Sequence, residues 1–275
     1  MPRSALVLLL LALAACGSSA PQLGPSNKAP SPPYAASVGD VLGFLPADSE
    51  VVVGIDVAQI RKTAVWTQLA PRVERVLASE LTQIRSACGF DPLQTVERDS
   101  IGLHARDQDH VAGVVVVRGV GAGMMGCVRT HFGKGGDITS DKGVVVMPHH
   151  GDHMKSAWMV VGSTLIVQLD EQVGHDTLHA VLASGSPLRT SHAFMELYGR
   201  LGRGASMWGV VNGATKLLDE ADSAGMRPVT VEGTLTMSDR VVIAGTAVFA
   251  SADTAAKVDA VMKQSLATAS KFAEH

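Results

Sequence analysis

Along most of the chain, apolar residues fall into short runs separated by clusters of Gly, Pro, Ser and Asp. Residues 50–57, rich in Val and Ile, predict a buried strand. A long amphipathic helix follows. Its apolar residues Ile60, Val65, Leu69, Val73, Val76, Leu77, Leu81 and Ile84 recur mostly at three- and four-residue spacing. Pro71 predicts a kink or a break into two helices, because its ring nitrogen has no N–H to donate. Beyond the loop Cys88-Gly89-Phe90-Asp91-Pro92, residues 100–106 and 111–118 predict a hairpin about Asp107-Gln108-Asp109-His110. A short helix is expected near 124–132. Residues 144–147, 156–161 and 164–169 predict a meander with a tight turn at Gly162-Ser163, followed by helices over 171–183 and 191–201.

The opening pattern then returns. A strand at 206–211 leads into a helix over 214–224. A hairpin follows, 230–237 with 240–249 around Ser238-Asp239, and then a closing helix over 252–272 with Asp253 as candidate N-cap. Two halves, 38–135 and 136–275, thus read strand, helix, hairpin, helix. The similarity lies in element order, and no sequence repeat accompanies it. Helices separated by hairpins predict an α+β fold: an antiparallel or mixed sheet with helices on one face.

The first 37 residues follow different rules. Arg3 precedes an unbroken apolar stretch over 5–15, shorter than the roughly 20 residues a spanning helix needs. A cation ahead of a short apolar run fits a secretory signal. The run ends in Leu13-Ala14-Ala15-Cys16, which resembles the lipobox of bacterial lipoproteins. The resemblance implies removal of residues 1–15, a diacylglycerol on Cys16 and acylation (palmitate) of the new amine. Several acyl chains hold firmly, since each buried CH₂ contributes about 0.8 kcal/mol. The residue after Cys16 is Gly17 and not an aspartate, which favours the outer membrane, at its periplasmic face. From Cys16 to Ser37 the chain reads as a lipidated tether, with Pro21, Pro25, Pro30, Pro32 and Pro33 among Ser, Gly and Ala. Such a composition buries too little surface to offset its ordering entropy. The expected organisation is therefore signal 1–15, tether 16–37 and a globular domain over 38–275.

Composition narrows the function classes. Apolar residues make up 46% and charged residues 18%, as in a domain with a core. Aromatics at 4% disfavour stacking platforms for sugars or single strands. The formal charge is −3, and losing Arg3 takes it to −4. Without a Lys/Arg cluster, no nucleic-acid partner is expected. With Cys16 lipidated, Cys88 and Cys127 remain, and an oxidising compartment favours a bridge between them.

The chain also resembles a loose group of uncharacterised envelope lipoproteins. The likeness rests on the lipobox, on Leu45-Pro46-Ala47-Asp48 running into Val51–Asp56, and on Cys88-Gly89-Phe90-Asp91-Pro92-Leu93. It implies no activity and no functional residues.

Candidate chemistry is sparse. Gly121, Gly123 and Gly126 match the dinucleotide fingerprint as text, but the preceding strand reads as the second arm of a hairpin and no ribose-binding acid follows. His149, His150, Asp152 and His153 crowd one loop, and imidazoles so close suit zinc or copper. Glu171, His175 and His179 recur at four-residue steps, so a helix would set them on one side. Neither set supplies a full tetrahedral shell. No Gly-x-Ser-x-Gly elbow occurs. The acid pairs Asp107/Asp109 and Glu220/Asp222 read as solvated surface. The methionines, Met124, Met125, Met147, Met154 and Met159 among them, read as filling for core gaps.

The expectation is a membrane-anchored cell-envelope lipoprotein, without a catalytic site or cofactor, serving as a binding or structural module. Its partners would be the bilayer, through acylated Cys16, and an envelope protein or ligand. The alternatives are a metal-binding protein using His149, His150 and His153 or His175 and His179, and a carrier of a hydrophobic ligand.

Overall fold

β1 (Val51–Asp56) is the strand on which the sheet is organised. It pairs antiparallel with β2 (Arg98–Ala105) on one side and with β8 (Met207–Asn212) on the other. The computed structural model describes residues 41–273 apart from 108–109, 122, 132–138, 142, 149–154, 184–186 and 203. The expected lipobox and tether, and the histidine loop, therefore lie outside the described residues. Outward from β2 come β3 (Val111–Arg118), β7 (Thr164–Asp170), β6 (Lys155–Val161), β5 (Val144–Pro148) and β4 (Thr139–Asp141). Outward from β8 come β9 (Pro228–Met237) and β10 (Val241–Phe249), which completes a ten-stranded sheet. Every pairing is antiparallel.

Short helices connect β1 to β2: α1 (Val57–Ile60), α2 (Ala64–Val76), α3 (Ala78–Cys88) and α4 (Pro92–Thr95). Their limits follow from local chemistry. Asp56 caps α1 by accepting from the Gln59 N–H at 2.8 Å, and Thr63 caps α2 by accepting from the Trp66 N–H at 3.1 Å. α3 ends at Gly89, whose φ of 71° is the left-handed conformation that lets its N–H reach the Arg85 carbonyl at 3.0 Å. The expected break at Pro71 falls elsewhere. α2 runs through Pro71 and stops at Val76, where Leu77 leaves the helical region at φ −98°, ψ 15°.

α5 (Met124–His131) follows β3, and α6 (His175–Ala183), α7 (Pro187–Thr190) and α8 (His192–Arg200) follow β7. The expected 214–224 helix is a 3-10 turn, Lys216–Leu218, and a five-residue α9 (Asp219–Ser223). α10 (Ala252–Ala273) closes the described chain. Ser251, rather than Asp253, accepts from the Thr254 N–H at 3.1 Å at its start.

The antiparallel α+β architecture is the one the hydrophobic pattern predicts, but the helices cover both faces of the sheet. One face carries Val52, Val114, Val116, Ile166, Ala157 and Val210 under Leu42, Leu45, Leu178, Leu188 and Phe194. The opposite face carries Val115, Val117, Leu165, Val167 and Trp158 under Met124, Met125 and Val128 of α5. β3 and β7 are apolar at odd and even positions alike, so each must be covered twice. Two glycines permit close approach on the first face. A Cβ at Gly54 would fall inside the Trp208 indole, and one at Gly102 would meet Leu45 and Ser49.

Across the β1–β8 seam the sheet is topologically symmetric. β1, β2 and β3 run outward one way, and β8, β9 and β10 run outward the other. Both triplets order as strand, helical segment, hairpin, helix. The repeated element order is thus one strand-and-hairpin unit used twice, with β4–β7 added to the outer edge of the first.

Candidate functional site

At the end of β1 where α1 begins, a cleft of about 520 Å³ opens. Its lining includes Asp56, Gln59, Arg61, Lys62, Glu97, Arg98 and Arg118. The strand register builds it. Asp56 pairs with Arg98 across β1–β2, and Arg98 pairs with Arg118 across β2–β3. One carboxylate and two guanidinium groups therefore begin from adjacent positions in one row. Arg98 Nε donates to Asp56 Oδ2 at 3.1 Å. Asp56 Oδ1 is engaged by the α1 N-terminus, which holds the carboxylate in place.

The other cations have different surroundings. Arg61 Nη1 donates to the Val96 carbonyl at 2.6 Å and the Leu93 carbonyl at 3.0 Å, where the partial negative charge at the end of α4 favours a cation. Lys62 is exposed at the rim. Behind the cleft, Gly119 adopts φ +90°, and a side chain there would strike the Thr95 carbonyl and the Glu97 amide. That close approach lets the Glu97 N–H reach the Arg118 carbonyl at 2.8 Å. Counting Arg61, Lys62, Arg98 and Arg118 against Asp56 and Glu97, the cleft carries four cations and two carboxylates.

Asp99 is next in sequence to Arg98 but points to the opposite sheet face. Burial pushes its carboxyl up from 3.8 to about 6, against the lowering effect of the Ser100 backbone N–H. Its Oδ1 is buried without a hydrogen-bond partner among the described residues. At the β2–β3 turn, His110 Nδ1 lies 2.8 Å from Asp107 and its Nε2 3.2 Å from Glu171. The hydrogen bond and charge of Asp107 raise the His110 pKa, and His110 in turn lowers that of Asp107.

The structure separates several residues that the sequence pattern grouped. His149, His150 and His153 lie outside the described residues. α6 begins at His175, so Glu171 is not on the helix with His175 and His179 and pairs instead with His110. His175 Nε2 is 3.5 Å from Thr139 Oγ1 of β4. Among the described residues no three His, Cys, Asp or Glu side chains gather as metal ligands. Cys88 and Cys127 are joined, with a Cα–Cα distance of 4.8 Å, tying the end of α3 to α5. Met124, Met125, Met147 and Met159 pack in or against the core clusters. Gly121 and Gly123 open α5 after an antiparallel strand, which is not the βαβ setting of a dinucleotide site.

Sequence reasoning missed the row Asp56–Arg98–Arg118. A signal for it existed. A hairpin turning at 107–110 sets 98 opposite 118, provided β2 is extended two residues below 100.

An α+β sheet protein with a charged cleft at one strand end is thus the class the structure defines. No protein-family model matches the chain, and no curated protein matches it. Among solved structures it is similar to crystal form III of TP0453. The identity is 11%, the TM-score 0.51, and the match covers 77% of this chain and 81% of that one. Crystal form I of the same protein matches at 13% identity with a TM-score of 0.48, over 79% and 81% of the two chains. The likeness at this identity is one of fold.

Proposed function

We propose that the chain is a lipoprotein of the bacterial cell envelope, tethered through Cys16, whose domain binds an anionic ligand in the Arg98–Arg118 cleft without transforming it. Its address rests on Leu13-Ala14-Ala15-Cys16 and on the Pro-rich segment that follows. The Cys88–Cys127 bridge supports the same oxidising compartment. Among the described residues no helix is long and apolar enough to cross a membrane. In this reading the acyl chains hold the protein to the bilayer.

The observation that carries the ligand is the register. Arg98 and Arg118 stand directly opposite each other in an antiparallel pair, in a cleft lined by four cations and two carboxylates. A carboxylate or phosphate group bound there would accept charge-assisted hydrogen bonds from the guanidinium groups. The cleft is lined by charged side chains, unlike the apolar cavity a hydrophobic carrier needs.

Two experiments test the two parts. The mass of the protein extracted from membranes should exceed that of chain 16–275 by a diacylglycerol and an acyl group. Cys16→Ala should release it unmodified. A wild type of unmodified mass in the soluble fraction removes the anchor. For the cleft, inorganic phosphate is titrated while the arginine Nε–H resonances are followed. Saturable shifts at Arg98 and Arg118, weakened about tenfold by Arg98→Glu, support the site. Shifts of equal size at Arg85 and Arg240, or none at all, remove it.

A further inference from the structure

The two edges of the sheet are built differently. β4 is three residues long, polar, exposed and ends in Asp141. Short, charged strands of this kind resist pairing with another chain. β10 has none of those protections. It is nine residues long, Val241–Phe249, and contains no charged residue and no proline. Its apolar side chains are open on both faces: Val241 is 46% exposed on one, and Val242 and Val248 are 45% and 42% exposed on the other. β3 holds the equivalent place in the first triplet, and its outer edge is satisfied by β7. β10 pairs with β9 and with no other described strand.

We propose that the β10 edge is a homodimer interface, at which a second copy of this chain adds its own β10 antiparallel and makes one continuous sheet across a two-fold axis at Gly245. The strand suits itself. A pair centred on Gly245 sets Val241 opposite Phe249, Val242 opposite Val248, Ile243 opposite Ala247 and Ala244 opposite Thr246. Apolar and β-branched side chains thus meet across the junction, and like charges are nowhere opposed. Asp239 and Arg240 precede the strand and Asp253 follows it, so each copy brings Arg240, beside Asp239, to the end that carries Asp253 of the other. A two-fold arrangement uses the same edge on both copies and leaves no β10 edge open to propagate. The outward N–H and C=O groups of alternate residues supply the hydrogen bonds.

The test uses the full chain in its native membranes. Gly245→Cys places a thiol on the proposed axis, and Val229→Cys places one on β9, away from the edge and 49% exposed. Mild oxidation should give a covalent dimer from Gly245→Cys and not from Val229→Cys. Any contribution from another thiol would appear in both. The second measurement is sedimentation of the purified full chain in density-matched detergent. The wild type should sediment as a dimer. Val242→Lys combined with Val248→Lys puts cations opposite each other across the axis, so it should sediment as a monomer with an unchanged circular dichroism spectrum. A monomeric wild type, a dimer indifferent to the two lysines, or equal cross-linking at 229 and 245 overturns the proposal.

Discussion

The hairpins β2–β3 and β9–β10 occupy matching places on either side of the β1–β8 seam, yet their outer strands have opposite fates. β3 reads VAGVVVVR and β10 reads VVIAGTAVF, with nearly the same appetite for burial. Val114 and Val116 of β3 are 1% and 0% exposed, whereas Val242 and Val248 of β10 are open to solvent. What differs is the cover. β7 closes the edge of β3, α5 lies over one of its faces, and the Cys88–Cys127 bridge ties α5 to α3. α10 follows β10 as α5 follows β3, but Val261 on it is 49% exposed. Composition sets how much a strand gains from burial, and topology decides whether burial is available.

The largest effect should come from removing the clamp on the first unit. A bridge across 39 residues stabilises by about 4 kcal/mol in the chain-entropy model. Cys127→Ser should therefore lower the thermal midpoint by on the order of 10 °C, measured by calorimetry without reductant. A shift of only a degree or two would mean that α5 is held by its packing alone.

The next comparison sets one strand against the other. Val116→Ala removes two methyl groups from a fully buried site and should cost about 2 kcal/mol in urea unfolding. Val242→Ala should cost less than about 0.5 kcal/mol in a monomer. Equal costs would show that β10 is as well covered as β3.

A smaller and pH-dependent effect belongs to Asp99 on β2. Its folded pKa of about 6 lies above its ordinary 3.8, so the folded chain binds this proton more tightly than the unfolded one. The stability from this group is full below pH 3.8 and is lost as pH rises from there through about 6. Asp99→Asn should flatten that slope and raise stability at neutral pH by about 1–2 kcal/mol, read from urea midpoints at several pH values. A destabilised asparagine variant at neutral pH would show that the carboxylate is satisfied.

Most strands were legible in the sequence because period-two alternation and Gly- or Asp-rich turns are local signals. Gly162 and Ser163 turn the chain where their composition predicts, and Cys88 and Cys127 pair as the cysteine count suggests. β4 was not legible, since Thr139-Ser140-Asp141 has no apolar residue to mark it. The cover on both faces was missed although the run Val114 to Val117 is apolar at consecutive positions and calls for it; what the run does not say is which elements supply that cover. The cleft was missed for a related reason. Arg98, Arg118 and Asp56 are far apart in sequence and meet only through register, which a two-residue error in the start of β2 conceals.

The most direct test of the contrast between the two units is amide hydrogen exchange of the full chain, followed strand by strand at increasing protein concentration. β3 should be protected at every concentration. The outward amides of β10 should exchange freely when dilute and gain protection as the chains pair. Protection of β10 that is equal to that of β3 and independent of concentration would contradict the account.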